Sequence, residues 1–413
     1  MAILDVARRW TGPALVRARA LRGRLRARRG NVGGEGVVSV VIPVHNVAPY
    51  LDACLRSVLG QDHDRLDVIV IDDASTDATP AILERWRRRD PRVRVITRTE
   101  SGGPNAARNL ALAEARGEFV TLLDGDDVLL AGAYRDALAS LRASGSDFVV
   151  ASYERLEGAR RTPPAFWVLD AHAADRRAVT LAEWPEAMVN AVQWSKVYRR
   201  AFWEGAGLSF PEAGHYQDQI VTAHAFARAA TFDVLHRPTV LWRIRDDGSS
   251  MTQQYRALGS LRDRFATARR VLDIYRSEAS PAVVRARLVQ YLSNDFAITA
   301  STVPDLDDAA WHVLREELAA SVPASFDEEI WLDVPAEFKV LYALILAGDR
   351  DRALEYVRRG GLRILDHALI DVAGVSHIAL PFWGDEAAAV PLECFRAAPR
   401  ELRAFGVAPG TPG

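Results

Sequence analysis

The chain has 413 residues, an ordinary apolar fraction and a formal net charge of −2. That length implies two or three domains, and a charge near zero argues against bulk nucleic-acid binding. Cys54 and Cys394 make up the whole cysteine complement; with no metal-ligand or redox spacing they fit a reducing cytosol and exclude a disulfide scaffold.

No apolar run approaches the ~20 residues that a membrane helix needs. The N-terminus is basic but lacks the apolar segment of a signal peptide. Residues 1–36 hold nine Arg against Asp5 and Glu35, so the remainder is net acidic. Trp10, Leu15, Val16, Leu21 and Leu25 recur among those Arg at roughly helical spacing. Two readings stand for 7–29: a basic amphipathic helix lying on an anionic membrane surface, or a solvated tail. Residues 31–36 read as a linker.

From Val37 the chain alternates strand and helix. Val37–Ile42, Leu66–Ile71 and Val93–Ile96 read as strands. Between them lie helices at Pro49–Leu59 and Thr79–Arg89, the second opened by Asp77 as cap with Pro80 in its first turn. A helix over Pro104–Ala115 is expected to close at Gly117. Then Phe119-Val-Thr-Leu-Leu runs into Asp124-Gly125-Asp126-Asp127. A helix at Ala131–Ala143 and a strand at Phe148–Ala151 follow. Such alternation predicts a parallel sheet with covered faces. Residues 152–215 are less regular, with a helix at Ile220–Ala230 and a strand at Thr239–Ile244 beyond them. From Tyr255 the texture is helical (256–276, 281–299, 307–320, 335–346, 350–358), and Leu362–Trp383 alternates weakly, as strands do.

Four polar stretches fall at strand ends of the first half. Pro43-Val-His45-Asn46 follows the first strand and Asp72-Asp73-Ala-Ser75-Thr-Asp77 the second. Gly102-Gly103-Pro-Asn105-Ala-Ala-Arg108-Asn109 opens a helix, whose free N–H groups favour phosphate. The three acids after Phe119–Leu123 repel one another unless a cation neutralises them, and all-oxygen ligands suit Mg²⁺ or Mn²⁺. Open α/β sheets bind ligands at this edge, although any one of these stretches alone reads equally as a solvated turn or a cap.

Together with Phe210-Pro-Glu and Tyr216-Gln217-Asp218, these motifs resemble a family 2 glycosyltransferase of the GT-A fold. The first four cover 37–130 in order and spacing; the likeness weakens across 150–250 and is lost after about 255. The resemblance implies an α/β, mostly parallel Rossmann-like sheet with helices on both faces over 37–252. A basic arm and linker (1–36) precede it, and a mainly helical accessory region (253–413) follows, with a small β element near 362–393. It implies a metal-dependent, inverting transfer from a nucleotide-diphosphate-sugar, UDP-linked by family habit, to a hydroxyl of a glycan or lipid-linked acceptor in cell-surface polysaccharide synthesis. It implies roles as well. Pro43, His45 and Asn46 would flank the nucleobase, and Asp73 would hydrogen-bond it. Arg108 would face the diphosphate, Asp124 the ribose, and Asp126 the Mn²⁺ or Mg²⁺. Asp218 would be the catalytic base, with Asp127 supporting the loop. Two positions depart from the pattern: Gln217 stands where an acid is usual, and His45 where an aromatic is common. The location expected is cytoplasmic, at the inner face of the cell membrane if the arm is helical.

The chemistry is consistent with those residue types. A departing nucleotide diphosphate develops negative charge, which a divalent cation neutralises. A positioned carboxylate that takes the acceptor proton contributes ~10²–10⁴-fold. His215 and His224 match no strong zinc spacing. Trp194-Ser-Lys196 lines the acceptor side or belongs to the core. Arg243 and Arg245, with Ser249-Ser250, form a cover over the phosphates or are exposed strand arginines. The rival functions are a nucleotidyltransferase, which would want a basic Gly-rich loop after the first strand, and a non-catalytic nucleotide- or glycan-binding protein that kept the fold.

Overall fold

The structure is a computed structural model that describes residues 34–212, 214–245, 258–323 and 325–407. The arm at 7–29 and Ser249-Ser250 lie outside the described residues. The chain divides into two compact units, Met1–Gln253 and Gln254–Gly413.

In chain order the first unit runs β1 (Gly34–Val44), α1 (Ala48–Leu59), β2 (Leu66–Asp73), α2 (Thr79–Arg89), β3 (Val93–Arg98), α3 (Gly103–Ala113), β4 (Gly117–Leu122) and β5 (Val128–Leu129). It continues with α4 (Ala133–Ser144), β6 (Phe148–Glu157), β7 (Arg160–Thr162), α5 (Phe166–Ala171), β8 (Arg176–Val179), β9 (Lys196–Arg199), α6 (Arg200–Gly205), α7 (Gln217–Arg228) and β10 (Phe232–Ile244). The strands form one sheet in the order β3-β2-β1-β4-β9-β6-β10-β5, with β7 on β6 and β8 on β10. Every residue of β2, and of β1 from Gly36 onward, is buried. A run buried at consecutive positions has both faces covered, which is why these strands read as unbroken apolar stretches.

The strand directions decide what meets at the site. β1, β2, β3 and β4 are mutually parallel. β9 runs against both β4 and β6. Two reversals restore the direction, so β6 is parallel to β4, and β10 is parallel to β6. The carboxyl ends of β1, β2, β4 and β10 therefore share one edge, and the first residue of β9, Lys196, lies at that edge too. α7 leads into β10 from the opposite edge, so its own first turn, with Asp218, is at the site edge.

Several local expectations need correction. Gly34-Glu35-Gly36 belongs to β1 rather than to a linker, and the Gly36 N–H donates to Glu118 Oε2 at 2.5 Å. Ala78, not Asp77, is the N-cap of α2. The Asp77 carboxylate instead accepts from Thr79 N at 2.8 Å and from Ala48 N at 3.1 Å, tying α2 to α1. Gly117 does not close α3, which ends at Ala113; it opens β4. A Cβ there would lie 2.6 Å from the Val37 carbonyl and 2.8 Å from Ser39 N. The strand start requires glycine because β1 passes too close for a side chain.

In the second unit, helices Leu258–Glu278, Asp308–Ala319, Ala336–Leu346 and Arg350–Arg358 follow the apolar periodicity closely. The helix expected over 281–299 is Pro281–Gln290 and Phe296–Ser301 joined by a π turn at Tyr291–Asp295. Phe265 and Tyr291 both stack on Phe296, at 4.6 and 5.3 Å. Leu369–Val372 and Val375–Ile378 form an antiparallel hairpin.

Gly117→Ala tests the close approach of β1 and β4. The added methyl meets backbone, which cannot swing aside, so the variant is expected to lose about 1–3 kcal/mol of stability. Denaturant unfolding of the two proteins measures it; equal midpoints would refute the close approach.

Candidate active site

β4 ends against β1, where Leu123 N donates to the Val41 carbonyl at 2.9 Å. The chain then turns, with Asp127 N donating to Asp124 O at 3.0 Å. Gly125 sits so close to β1 that a Cβ would stand 2.5 Å from Val44 Cγ1. The turn holds three carboxylates, and each meets an arginine. Arg108 Nη2 donates to Asp124 Oδ1 at 2.8 Å. Arg245 Nε donates to Asp126 Oδ2 at 2.7 Å. The Arg243 backbone N–H donates to Asp127 Oδ1 at 2.8 Å, and Arg243 Nε to the Asp126 carbonyl at 2.7 Å. Burial, then Asp124, raises the Asp126 pKa, and Arg245 opposes them. Burial with both neighbouring acids lifts Asp127 further, and its buried Oδ2 has no hydrogen-bond partner.

Of the two readings of Arg243 and Arg245, that of exposed strand arginines does not hold for Arg243, while the cover over the phosphates includes Ser249-Ser250, which lie outside the described residues. Arg243 is only 4% exposed, and both guanidinium groups lie over the Tyr50 ring, 5.1 and 5.7 Å from its centre. The pair fastens β10 to the acidic turn.

At the ends of β1 and β2 the loops are latched together. Pro43 is buried inside β1, in register with Ile71, so its ring is not presented to a ligand. His45 and Asn46 are exposed at the strand end. His45 Nδ1 lies 2.7 Å from the Asp73 carbonyl, and Asn46 Oδ1 accepts from Thr76 N at 2.8 Å. Asp73 is more heavily engaged than a free base-reader would be. Oδ1 accepts from Arg98 at 2.7 Å and Gly102 N at 3.1 Å, and Oδ2 from Ser101 at 2.8 Å and Gly103 N at 2.9 Å. Burial works to raise its pKa, but these four donors outweigh it and hold the carboxyl below its ordinary range. Four donors fill a carboxylate's lone pairs, so Asp73 orders the loop that opens α3, and a nucleobase would have to displace one of them.

Asp218 comes from the far end of the domain. Tyr216, at a φ of 60°, turns the chain into α7, and Asp218 lies in its first turn. The residue is half-buried and its carboxyl lies deep. Burial raises its pKa; Arg108, the Gln219 N–H and Lys196 oppose that rise, and Asp124 adds to it. Those influences bring Asp218 into the same charge field as the Arg108–Asp124 pair. Three groups that the motifs did not single out hold it there. Gln193 Nε2 donates to the Asp218 carbonyl at 3.1 Å and to Thr222 Oγ1 at 2.6 Å, while Tyr198 donates to Gln193 Oε1 at 2.8 Å. Lys196 is buried, with Nζ donating to the Asn190 and Val192 carbonyls at 2.6 and 2.5 Å. Burial brings its pKa down to about 7, against the pull of Asp218. Asn109 bonds the Phe210 backbone in both directions, at 2.8 and 2.9 Å, and Arg108 lies 5.3 Å over the Phe210 ring.

The remaining candidates separate. Trp194 is core, packed edge-on to Tyr153 at 4.8 Å. His215 lies 6.3 Å from the Tyr216 ring, and His224 is half-buried on α7. Among the described residues no group of three or more His, Cys, Asp and Glu is placed to hold a metal ion. An ion at the acidic turn would take one or two carboxylates from the protein and its other ligands from a diphosphate, which is how Mg²⁺ is usually held. The Asp126 carboxylate, with 12% of its side chain exposed, and the Asp127 oxygen without a hydrogen-bond partner fit that donor set.

Asn109 carries a prediction. Asn109→Ala removes both bonds to the Phe210 backbone and is expected to cost about 1–3 kcal/mol. Amide hydrogen exchange over 206–216 should rise with it; unchanged protection there would show that the segment is held by other contacts.

Comparison with known proteins gives the family and the fold. The family model "Glycosyl transferase family 2" matches residues 39–205. A provisionally named glycosyltransferase, EpsH of Bacillus subtilis strain 168, is 30% identical over 261 residues, covering 60% of this chain and 74% of EpsH. Poly(ribitol-phosphate) beta-N-acetylglucosaminyltransferase TarS of Staphylococcus aureus strain MW2 is 28% identical over 298 residues; the match takes 70% of this chain but only half of TarS. The crystal structure of S. aureus TarS 1–349 in complex with UDP-GlcNAc superposes with a TM-score of 0.66 at 24% identity, covering 83% of this chain and 96% of that one. With its ten-stranded, mostly parallel sheet and a helical region after it, the chain belongs to the family 2 glycosyltransferases and has the GT-A fold.

Proposed function

We propose that the enzyme transfers a sugar, with inversion, from a UDP-linked donor to a hydroxyl of a cell-surface glycan, with Asp218 as the base. The observation that carries this reading is the convergence of Asp218, from α7, on the Arg108–Asp124 pair beside the acidic turn. Asp218 takes the proton of the acceptor hydroxyl as that oxygen bonds to the anomeric carbon. The bond from that carbon to the diphosphate oxygen breaks, and its electron pair leaves with the nucleotide. One displacement inverts the centre and needs no second carboxylate as nucleophile. Arg108 faces the departing charge, and Asp124 the ribose. His45, Asn46 and the loop ordered by Asp73 take the nucleobase, with Pro43 contributing its backbone alone. Asp126 would hold Mn²⁺ or Mg²⁺, and a cation bound there supplies Lewis-acid neutralisation of the diphosphate.

A UDP donor and a cell-surface polymer as acceptor are favoured by the likeness to TarS, whose name gives poly(ribitol phosphate) and whose structure holds UDP-GlcNAc. Residues 37–252 form the catalytic domain in this reading and 253–413 an accessory region. A cytoplasmic location fits it, with the basic arm resting on anionic lipid at the membrane's inner face. Among the described residues no helix is long and apolar enough to cross a membrane.

The test is release of free nucleotide diphosphate from a panel of nucleotide-sugars with Mn²⁺. UDP release from one donor is expected. Donor binding without release from any of them would favour a non-catalytic binding protein. Asp218→Asn should lower turnover by at least ~10²-fold while the donor Kd stays unchanged; loss of donor binding in parallel would make Asp218 structural.

The pH profile gives an independent check. A base works only when ionised, so the rate falls as pH drops through the raised Asp218 pKa. Gln217→Glu adds a like charge next to it, which disfavours ionisation. The acid limb of the variant should therefore lie at higher pH. A limb that stays put would mean that another group sets it.

A further inference from the structure

Two arginines leave the end of β10, and they are held differently. Arg243 is anchored by its backbone N–H on Asp127 and its Nε on the Asp126 carbonyl, and it is buried. Arg245 lies two residues on. Alternate residues of a strand share a face, so both guanidinium groups reach the turn and Tyr50. Arg245 makes its 2.7 Å ion pair on the side-chain oxygen Asp126 Oδ2, and both partners keep some exposure, 17% and 12% of their side chains. The anchored arginine serves the backbone and Asp127; the more accessible one neutralises the carboxylate assigned to the metal.

We infer that Arg245 is a resident counter-cation at Asp126, which a divalent ion must displace in order to bind. The inference rests on the assignment of Asp126 to the metal. Three carboxylates at the turn already face Arg108, Arg243 and Arg245. A divalent ion on Asp126 with Arg245 still in place would set two like charges against one another in a partly buried pocket. A nucleotide diphosphate brings negative oxygens that serve Arg245 as a new partner and the ion as further ligands. Diphosphate and metal therefore each raise the affinity for the other, because both favour the state in which Arg245 has left Asp126.

The experiment is Mn²⁺ binding to the full chain, read from the electron paramagnetic resonance of the free ion, with and without UDP. Wild type should bind Mn²⁺ weakly alone and more tightly with UDP. Arg245→Gln should bind Mn²⁺ at least ~10-fold more tightly than wild type without nucleotide, and should gain less from UDP. Arg245→Lys, which keeps the charge, should stay near wild type, and Asp126→Asn should lose the ion in either background. An Arg245→Gln Kd equal to or weaker than wild type would overturn the inference and make Arg245 a structural clamp. UDP binding that is indifferent to EDTA in wild type but lost in Arg245→Gln would also overturn it, Arg245 then being the permanent cation. A measurement on wild type does not depend on the folding of any variant. The Arg245 Nε–H resonance should move when Mg²⁺ and UDP are added together, and a static signal would count against displacement. Tight Mn²⁺ binding by Arg245→Gln without sugar transfer would leave this inference standing while removing the activity reading. Transfer that needs Mn²⁺, with equal affinities in the two proteins, would do the reverse.

Discussion

Three carboxylates within four residues, at the end of a buried strand, repel one another, and the domain is arranged to contain that repulsion. The neutralising groups cannot come from the turn itself. They come from α3, through Arg108, and from the end of β10, through Arg243 and, one residue past the strand, Arg245. β10 can supply them only if it ends at the same edge as β4. The antiparallel strand β9, inserted between β4 and β6, secures this. Reversing direction once would bring the start of β10 to the site; reversing twice brings its end. The topology and the electrostatics of the turn are thus one constraint seen at two scales.

The same constraint explains why the first half was legible from residues alone and the second half less so. β1, β2 and β4 are buried on both faces, so their sequences are unbroken apolar runs, and the polar loops after them stand out. Helix boundaries in the second unit followed apolar periodicity because those helices bury one face and leave the other to water. Arg243 and Arg245 were not legible in this way. An arginine on a strand reads as solvent-facing unless its register against Asp126 and Asp127 is known, and those partners lie 116 to 119 residues away. Asp73 looked like a ligand contact because it ends a strand, yet three of its four donors lie at 101–103, with the fourth from Arg98. Gly117 looked like a helix stop because glycine often is one, but it answers to the approach of β1, which no local pattern reveals.

Asn109 and Lys196 stood inside recognised motifs and were still passed over. Each acts on main chain, Asn109 on Phe210, 101 residues away, and Lys196 on the carbonyls of Asn190 and Val192 just before it. A motif marks that a position matters without saying that its partner is backbone. Of the two, Lys196 also acts on Asp218 through its charge. Gln193, Thr222 and Tyr198 support the Asp218 main chain from strand, helix and connecting segment.

Asp218 itself sits at a balance. Its place in the first turn of α7 favours the ionised form, because a helix N-terminus carries partial positive charge, and Arg108 and Lys196 act in the same direction. Burial acts against them and prevails. A carboxylate raised by burial alone would be protonated too easily, and one paired directly with an arginine would be too weak a base. Asp218 avoids the second outcome because the Arg108 guanidinium is already committed to Asp124 and Asn105. An acid at 217 would push the balance further toward the protonated form. Gln217 leaves it to burial and Asp124.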